Sequence, residues 1–71
     1  MANMKEVNKA IKKTFPSLDV YLVRGYGYVY YDGEDGFDKI DSLYSNPVST
    51  KTADMIRMAI GDITNVYGEE E

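Results

Sequence analysis

The 71-residue chain contains seven tyrosines, lacks cysteine and histidine, and has a net charge of −4. A chain of this length forms one small domain with a modest core. The absence of cysteine excludes disulfides and thiolate metal sites, and the absence of histidine removes the commonest general base. We find no apolar run of about eighteen residues that could span a membrane, and no signal-peptide pattern, so we expect a cytoplasmic protein.

The charge is unevenly distributed along the chain. Residues 1–15 carry four lysines and one glutamate, a net charge of +3, whereas residues 16–71 carry four cations and eleven acids, a net charge of −7. An acidic domain is a poor match for nucleic acid, because contacts with phosphates supply most of that affinity. It suits a partner protein with a basic surface, because opposite charges steer the encounter and fix the register.

The first fifteen residues have the pattern of an amphipathic helix, predicted over residues 3–15. Asn3 is a suitable N-cap, and Pro16 prevents the helix from continuing. The predicted apolar stripe has spacings of three and four and consists of Met4, Val7, Ile11 and Phe15. The four lysines fall outside this stripe, as expected for a solvated face; docking on nucleic acid or an acidic membrane is the alternative.

A β-hairpin follows, with strands predicted over residues 18–24 and 27–32. Glycine at the first central position of a two-residue loop suits a type II′ turn at Gly25-Tyr26, which places Leu22 opposite Val29. Because side chains alternate along a strand, the hairpin has two faces. The more aliphatic face, which we expect to be buried, consists of Val20, Leu22, Val29 and Tyr31. The face expected to point outward, here called the tyrosine face, consists of Tyr21, Val23, Tyr28 and Tyr30.

The tyrosine face has two interpretations at this point. Tyrosine combines a large contact area and a hydroxyl group with little rotamer entropy to lose, so it suits a recognition surface. Cross-strand tyrosine pairs also stabilise a sheet without any partner.

Residues 32–38 carry four acids and two glycines and are predicted to form a loop, here called the acidic loop. An EF-hand calcium loop starting at Asp32 requires oxygen ligands at its third, fifth and twelfth positions and glycine at its sixth. Only the third residue, Glu34, fits this pattern, so we predict no metal site. The loop is then either simply solvated or an acidic recognition surface.

The remaining chain is predicted to add a third strand over residues 40–45, a second helix over residues 50–67 and a frayed tail over residues 68–71. Tyr44 extends the tyrosine face in this arrangement, and Ser49 or Thr50 can cap the helix. The apolar stripe predicted for this helix consists of Ala53, Ile56, Ile60, Ile63 and Tyr67, with Met55, Ala59 and Val66 flanking it. The predicted fold is α+β: one helix-strand-strand-strand-helix domain, an antiparallel three-stranded meander with both helices on one face.

The hairpin Gly25-Tyr26-Gly27-Tyr28-Val29-Tyr30-Tyr31, the segment Ser42-Leu43-Tyr44 and the capped terminal helix resemble small αβββα proteins encoded by phages and prophages. Val29 stands where such hairpins more usually have an aromatic residue. Most members of these families have no assigned activity, so the resemblance transfers no functional residue. It implies a mobile-element setting, in which small acidic proteins such as anti-CRISPR proteins and DNA mimics block host or defence proteins.

These observations favour a non-enzymatic interaction protein in the host cytoplasm that binds and blocks a host or defence protein with a basic surface. The candidate binding residues are Tyr21, Tyr28, Tyr30, Tyr44, Asp32, Glu34, Asp35, Asp38 and Asp41. No catalytic residue and no cofactor is predicted, because no nucleophile and base are recognisable in a chain without histidine or cysteine. The alternatives are a homodimer or larger homo-oligomer packed through the tyrosine face and, less favoured on electrostatic grounds, a single-stranded nucleic-acid-binding module.

Overall fold

The computed structural model describes residues 2–36, 38–43 and 46–67 of the chain. Its elements in chain order are α1 (Met4–Thr14), β1 (Tyr21–Arg24), β2 (Val29–Asp32) and α2 (Thr52–Tyr67). The two strands form an antiparallel two-stranded sheet. The fold is therefore a small α+β domain, but the predicted three-stranded meander is wrong.

The segment predicted as a third strand pairs with the sheet at one position among the described residues. Leu43 and Val29 exchange two backbone hydrogen bonds, of 2.9 and 3.0 Å. Just before this pair, the amides of Lys39 and Ile40 both donate to the Gly36 carbonyl, and the side chain of Ile40 is buried in the core. The chain is still turning where the strand was predicted to begin, so over the described residues it meets β2 only at the pair of Leu43 with Val29. The other end of the predicted strand, residues 44–45, lies outside the described residues, and with it the candidate binding residue Tyr44.

The hairpin turn lies one residue later than predicted. Arg24 pairs with Val29, and the Gly25 amide donates to the Tyr28 carbonyl at 2.8 Å. The chain therefore reverses at Tyr26 and Gly27, and Gly27 has the positive φ, +77°. Moving the turn by one residue moves every cross-strand partner by two, so each side chain keeps its predicted face. The predicted buried face is confirmed, because none of its members is more than 5% exposed: Val20, Leu22, Val29 and Tyr31.

The first helix lies within one residue of its predicted bounds. The Asn3 side chain accepts a hydrogen bond from the Glu6 amide at 3.2 Å, which is the N-cap interaction predicted for it. Phe15 is the C-cap residue and is buried, as are Val7 and Ile11 of the predicted stripe.

The second helix begins at Thr52, two residues later than predicted. Ser49 and Thr50 lie in the preceding turn, where both hydroxyls donate to the Asn46 carbonyl. The buried centre of the helix is shifted toward the residues predicted to flank the stripe. It consists of Met55, Ala59 and Ile63. Three other stripe residues are partly buried against the core, namely Ile56, Ile60 and Tyr67, whereas Ala53 is exposed.

Both helices contribute to one core, which covers the inner face of the hairpin. Asn8 of α1 also fastens the outer edge of β1. Its side-chain amide donates to the Leu22 carbonyl at 3.0 Å, and its side-chain oxygen accepts from the Leu22 amide at 2.7 Å. Asn8 therefore satisfies backbone groups on the strand edge that β2 leaves open.

Candidate functional site

The tyrosine face lies on the side of the hairpin opposite the helix-covered core. Tyr21 is 40% exposed, and Val23, Tyr28 and Tyr30 are half-buried. The rings of Tyr28 and Tyr30 have centroids 6.2 Å apart and planes inclined at 39°, within the normal range for an aromatic pair. Tyr21 is therefore the most accessible side chain of this face, and Tyr28 and Tyr30 form a contacting pair beside it.

Tyr28 also packs against the opposite strand end. A Cβ added at Gly25 would lie only 2.7 Å from the Tyr28 ring, so the glycine allows the ring to lie directly against the backbone. The sequence assigned Gly25 to the turn itself. Its role in the structure is to accommodate an aromatic side chain of the tyrosine face.

The predicted acidic residues fall into two groups. The carboxylate of Asp32 accepts from the Gly33 amide at 2.8 Å, and that of Asp35 accepts from the Asp19 amide at 2.8 Å. These two side chains build the acidic loop. The second group is exposed, and its carboxylates make no hydrogen bond or ion pair with the described parts of the chain; it consists of Glu34, Asp38 and Asp41.

Asp19, which the sequence did not single out, organises the acidic loop. Its carbonyl accepts from the Asp35 amide at 2.9 Å, and its carboxylate accepts from the Glu34 amide at 3.2 Å. Gly33 has a φ of +96°, and a Cβ there would lie 2.3 Å from the Asp19 carbonyl oxygen. The glycine-rich pattern predicts a turn, but it carries no information about which distant residue packs against that turn.

Two tyrosine hydroxyls attach this end of the hairpin to α2. Tyr31 donates to the Asp62 carboxylate at 3.0 Å, and Tyr67 donates to the Asp35 carbonyl. Burial raises the pKa of the Tyr31 hydroxyl above its ordinary value, and the charge of Asp62 and the hydrogen bond to it raise it further. Tyr31 is therefore held protonated as a donor inside the core.

The hairpin tip presents a residue that sequence reasoning treated only as part of a turn. Tyr26 is 99% exposed, and nearby Val48 is 54% exposed. A cleft of about 540 Å³ lies between the tip and residues 46–48, and Arg24 lines it. A large exposed aromatic at a position that usually favours Asn, Asp or Gly is the signal that could have marked Tyr26.

The basic side chains of α1 occupy a further surface. All four are exposed: Lys5, Lys9, Lys12 and Lys13. The ion pairs within the described ranges are Lys39 with Asp35, at 3.7 Å, and Arg57 with Asp54, at 3.2 Å. Neither involves α1, as a solvated helix face predicts.

Over residues 2–36, 38–43 and 46–67, no group of three or more acidic, histidine or cysteine side chains is arranged to hold a metal ion. Neither helix, over the same residues, combines the length and apolarity needed to cross a membrane. Comparison of the chain with protein-family models, curated proteins and solved structures finds no match.

Proposed function

We propose that this is a non-enzymatic interaction protein, of the kind that phages and other mobile elements encode, which binds and blocks a host or defence protein. The observation that supports this most is the contrast within one hairpin. The four predicted core residues of its inner face are at least 95% buried, while its outer face carries tyrosines, of which Tyr21 is 40% exposed. Accessible aromatic side chains on a rigid sheet are typical anchors of protein interfaces.

The proposed surface combines the tyrosine face with the exposed acids of the acidic loop. Tyr21, Tyr28 and Tyr30 supply contact area. The contact between the Tyr28 and Tyr30 rings and the packing of Tyr28 on Gly25 limit the entropy that these two side chains lose on binding. Glu34 and Asp38 supply charge for lysines and arginines of the partner. Asp41 lies apart from them, in a cleft that it shares with Asp62 and Val66 of α2. Asp32 and Asp35 position the acidic loop through hydrogen bonds within it and to Asp19. If the partner normally binds DNA, the carboxylates stand in for phosphates, as in an inhibitor of the anti-CRISPR or DNA-mimic type.

The test begins with capture of partners from a bacterial lysate on the immobilised full chain, with and without nuclease. The retained protein is then purified and its affinity measured for two variants of matched exposure. Tyr21→Ser removes an anchor of the tyrosine face, whereas Val66→Ser removes a side chain that is 45% exposed on α2. We expect Tyr21→Ser to weaken binding about tenfold or more and Val66→Ser to leave it unchanged. Equal effects of the two variants contradict the assignment of the surface.

The contribution of charge to binding is tested with a second pair of matched variants. The double variant Glu34→Gln/Asp38→Asn and the double variant Glu6→Gln/Asp54→Asn change the net charge equally but at different places. Only the first is expected to slow association and to reduce its dependence on salt. An equal loss in both variants indicates a general effect of net charge and removes the acidic loop from the site.

The homo-oligomer alternative predicts a different result for the purified chain and its Tyr21→Ser variant. If the tyrosine face packs against a second copy, light scattering shows a mass above that of the monomer, and Tyr21→Ser reduces it. Recovery of partners only without nuclease favours nucleic-acid binding instead.

A further inference from the structure

The cleft at the hairpin tip has the dimensions of a ligand site. Its volume of about 540 Å³ lies within the range of roughly 300–1,000 Å³ that is typical of small-molecule pockets. One wall is the tip itself, with Arg24, Tyr26 and the two glycines beside Tyr26. The other wall is the segment 46–48, which precedes α2.

The cleft has an unusual charge for this chain. Nine acidic residues lie in the part of the chain that the structure describes, and none of these nine lines the cleft. Among the described residues, Arg24 is the one ionisable side chain that lines it apart from the Tyr26 hydroxyl. Arg24 is exposed and forms no ion pair with the described residues. It lies on the same face of the hairpin as Leu22 and Val29, at the end of the core. A guanidinium group without a carboxylate partner is suited to bind a carboxylate through two parallel hydrogen bonds.

The two walls differ in how firmly they are held. Pro47 is fully buried, and its carbonyl accepts from the Ala2 amide at 2.7 Å. The Asn46 side chain accepts from the Val48 amide at 2.9 Å, so the segment 46–48 is a fixed wall that exposes the Val48 side chain to the cleft. In contrast, Tyr26 stands between two glycines and is almost free of contacts, so its ring can move over a bound group.

We infer that this cleft binds a carboxylate attached to an apolar body. The Arg24 guanidinium donates to the carboxylate, and the Tyr26 ring and Val48 enclose the apolar part. This chemistry is shared by a free aliphatic or aromatic acid and by the last residue of a peptide with an apolar side chain. The site lies on the opposite face of the hairpin from the tyrosine face, so it stands or falls independently of the proposed function.

The experiment is a titration of the ¹⁵N-labelled full chain, followed by amide chemical shifts at neutral pH. The probes are 4-phenylbutanoate and its amide, and the peptide acetyl-Gly-Gly-Leu with a free or an amidated C-terminus. We expect both acids to shift the amides of residues 24–27, 46 and 48, and to bind about tenfold or more tightly than the matching amides. A much higher affinity for the peptide acid identifies a C-terminal residue as the source of the carboxylate, and equal affinities identify the free acid as sufficient.

Two arginine variants separate the site from general electrostatics. Arg24→Gln is expected to weaken binding of both acids about tenfold or more, whereas Arg57→Gln, at another exposed arginine, on α2, leaves binding unchanged. Circular dichroism confirms that both variants fold. Localised shifts that are the same for acid and amide, affinities unaffected by Arg24→Gln, or no shifts at all would overturn the inference.

Discussion

The two ends of the hairpin are both glycine-containing turns, but one is closed by the rest of the protein and the other is open. At the closed end, the acidic loop packs against Asp19, and the hydroxyls of Tyr31 and Tyr67 tie this end to α2. At the open end, Tyr26 is 99% exposed, and a Cβ at Gly27 would meet no atom within 4 Å.

This difference separates structural from available side chains. The acidic loop looks the more functional of the two from its composition, yet the carboxylates of Asp19, Asp32 and Asp35 are used in hydrogen bonds to backbone amides of its own end of the hairpin. The tip has fewer polar groups, but those it has are exposed. A cluster of charges is therefore weaker evidence for a site than side chains that the fold leaves without a structural role.

The largest expected effect compares the two glycines with positive φ. Alanine at either position carries backbone strain, but only at Gly33 does the added Cβ also meet a backbone oxygen, at 2.3 Å. We expect Gly33→Ala to lower the free energy of unfolding by about 3 kcal/mol and Gly27→Ala by about 1 kcal/mol. Urea denaturation measures both. If both variants lose the same free energy of unfolding, the closed end accommodates the added Cβ as easily as the open end, and the two ends do not differ in packing.

The second prediction concerns pH at the closed end. In the unfolded chain Tyr31 has the ordinary pKa of about 10, whereas burial first, and Asp62 second, raise its pKa in the folded protein. Below pH 10 both states keep the proton, so its contribution to stability is constant. Above pH 10 only the unfolded state loses the proton, so Tyr31 lowers stability by about 1.4 kcal/mol per pH unit.

Tyr31→Phe provides the control for this prediction, because it removes the titrating hydroxyl and leaves the ring in the core. Urea denaturation of both proteins between pH 8 and roughly 11.5 isolates the Tyr31 contribution as a difference, since all other titrating groups are shared. Parallel stability curves above pH 10 would show that the hydroxyl titrates normally and that this end of the hairpin is not closed to water.

A smaller effect is expected from the second hydroxyl. Tyr67→Phe removes the hydrogen bond to the Asp35 carbonyl and should cost about 1 kcal/mol. Hydrogen exchange of the Glu34 and Asp35 amides should accelerate more than the lost global stability explains, because the acidic loop loses its attachment to α2. If the exchange rates of these two amides do not change, the hydrogen bonds of Asp19 are sufficient to stabilise the loop and the Tyr67 hydroxyl does not contribute.

The smallest effect on stability is expected at the open end. Tyr26→Ser removes a side chain that makes almost no intramolecular contact, so the urea midpoint should stay within experimental error. Tyr21→Ser, on the tyrosine face, serves as a comparison with a partly buried side chain. A clearly lower urea midpoint for Tyr26→Ser would mean that the Tyr26 side chain is packed against the protein in solution, so that this end of the hairpin is not open.

Local patterns were sufficient for several parts of this structure. The cap at Asn3 and the buried residues Val7 and Ile11 follow from spacing within α1. The two faces of the hairpin were also predicted correctly although the turn was not, because a shift of one residue in the turn preserves the alternation. Gly25 and Gly27 flank Tyr26, so the sequence allows a turn at Gly25-Tyr26 as well as one at Tyr26-Gly27. The packing of the Tyr28 ring on Gly25 favours the second turn, which is the one observed.

The sequence by itself determined which residues form helices, which strand residues are buried, and that the chain is a small acidic domain with a tyrosine-rich face, because these properties depend on periodicity and composition within a few residues. Only the tertiary structure decided that Leu43 forms a single bridge where a third strand was expected, that Asp19 closes the acidic loop, and that Arg24 and Tyr26 border a cleft. Each of these depends on residues that are about fourteen or more positions apart in the chain. Contacts at such separations are selected by the packing of the whole core, and no local pattern records them.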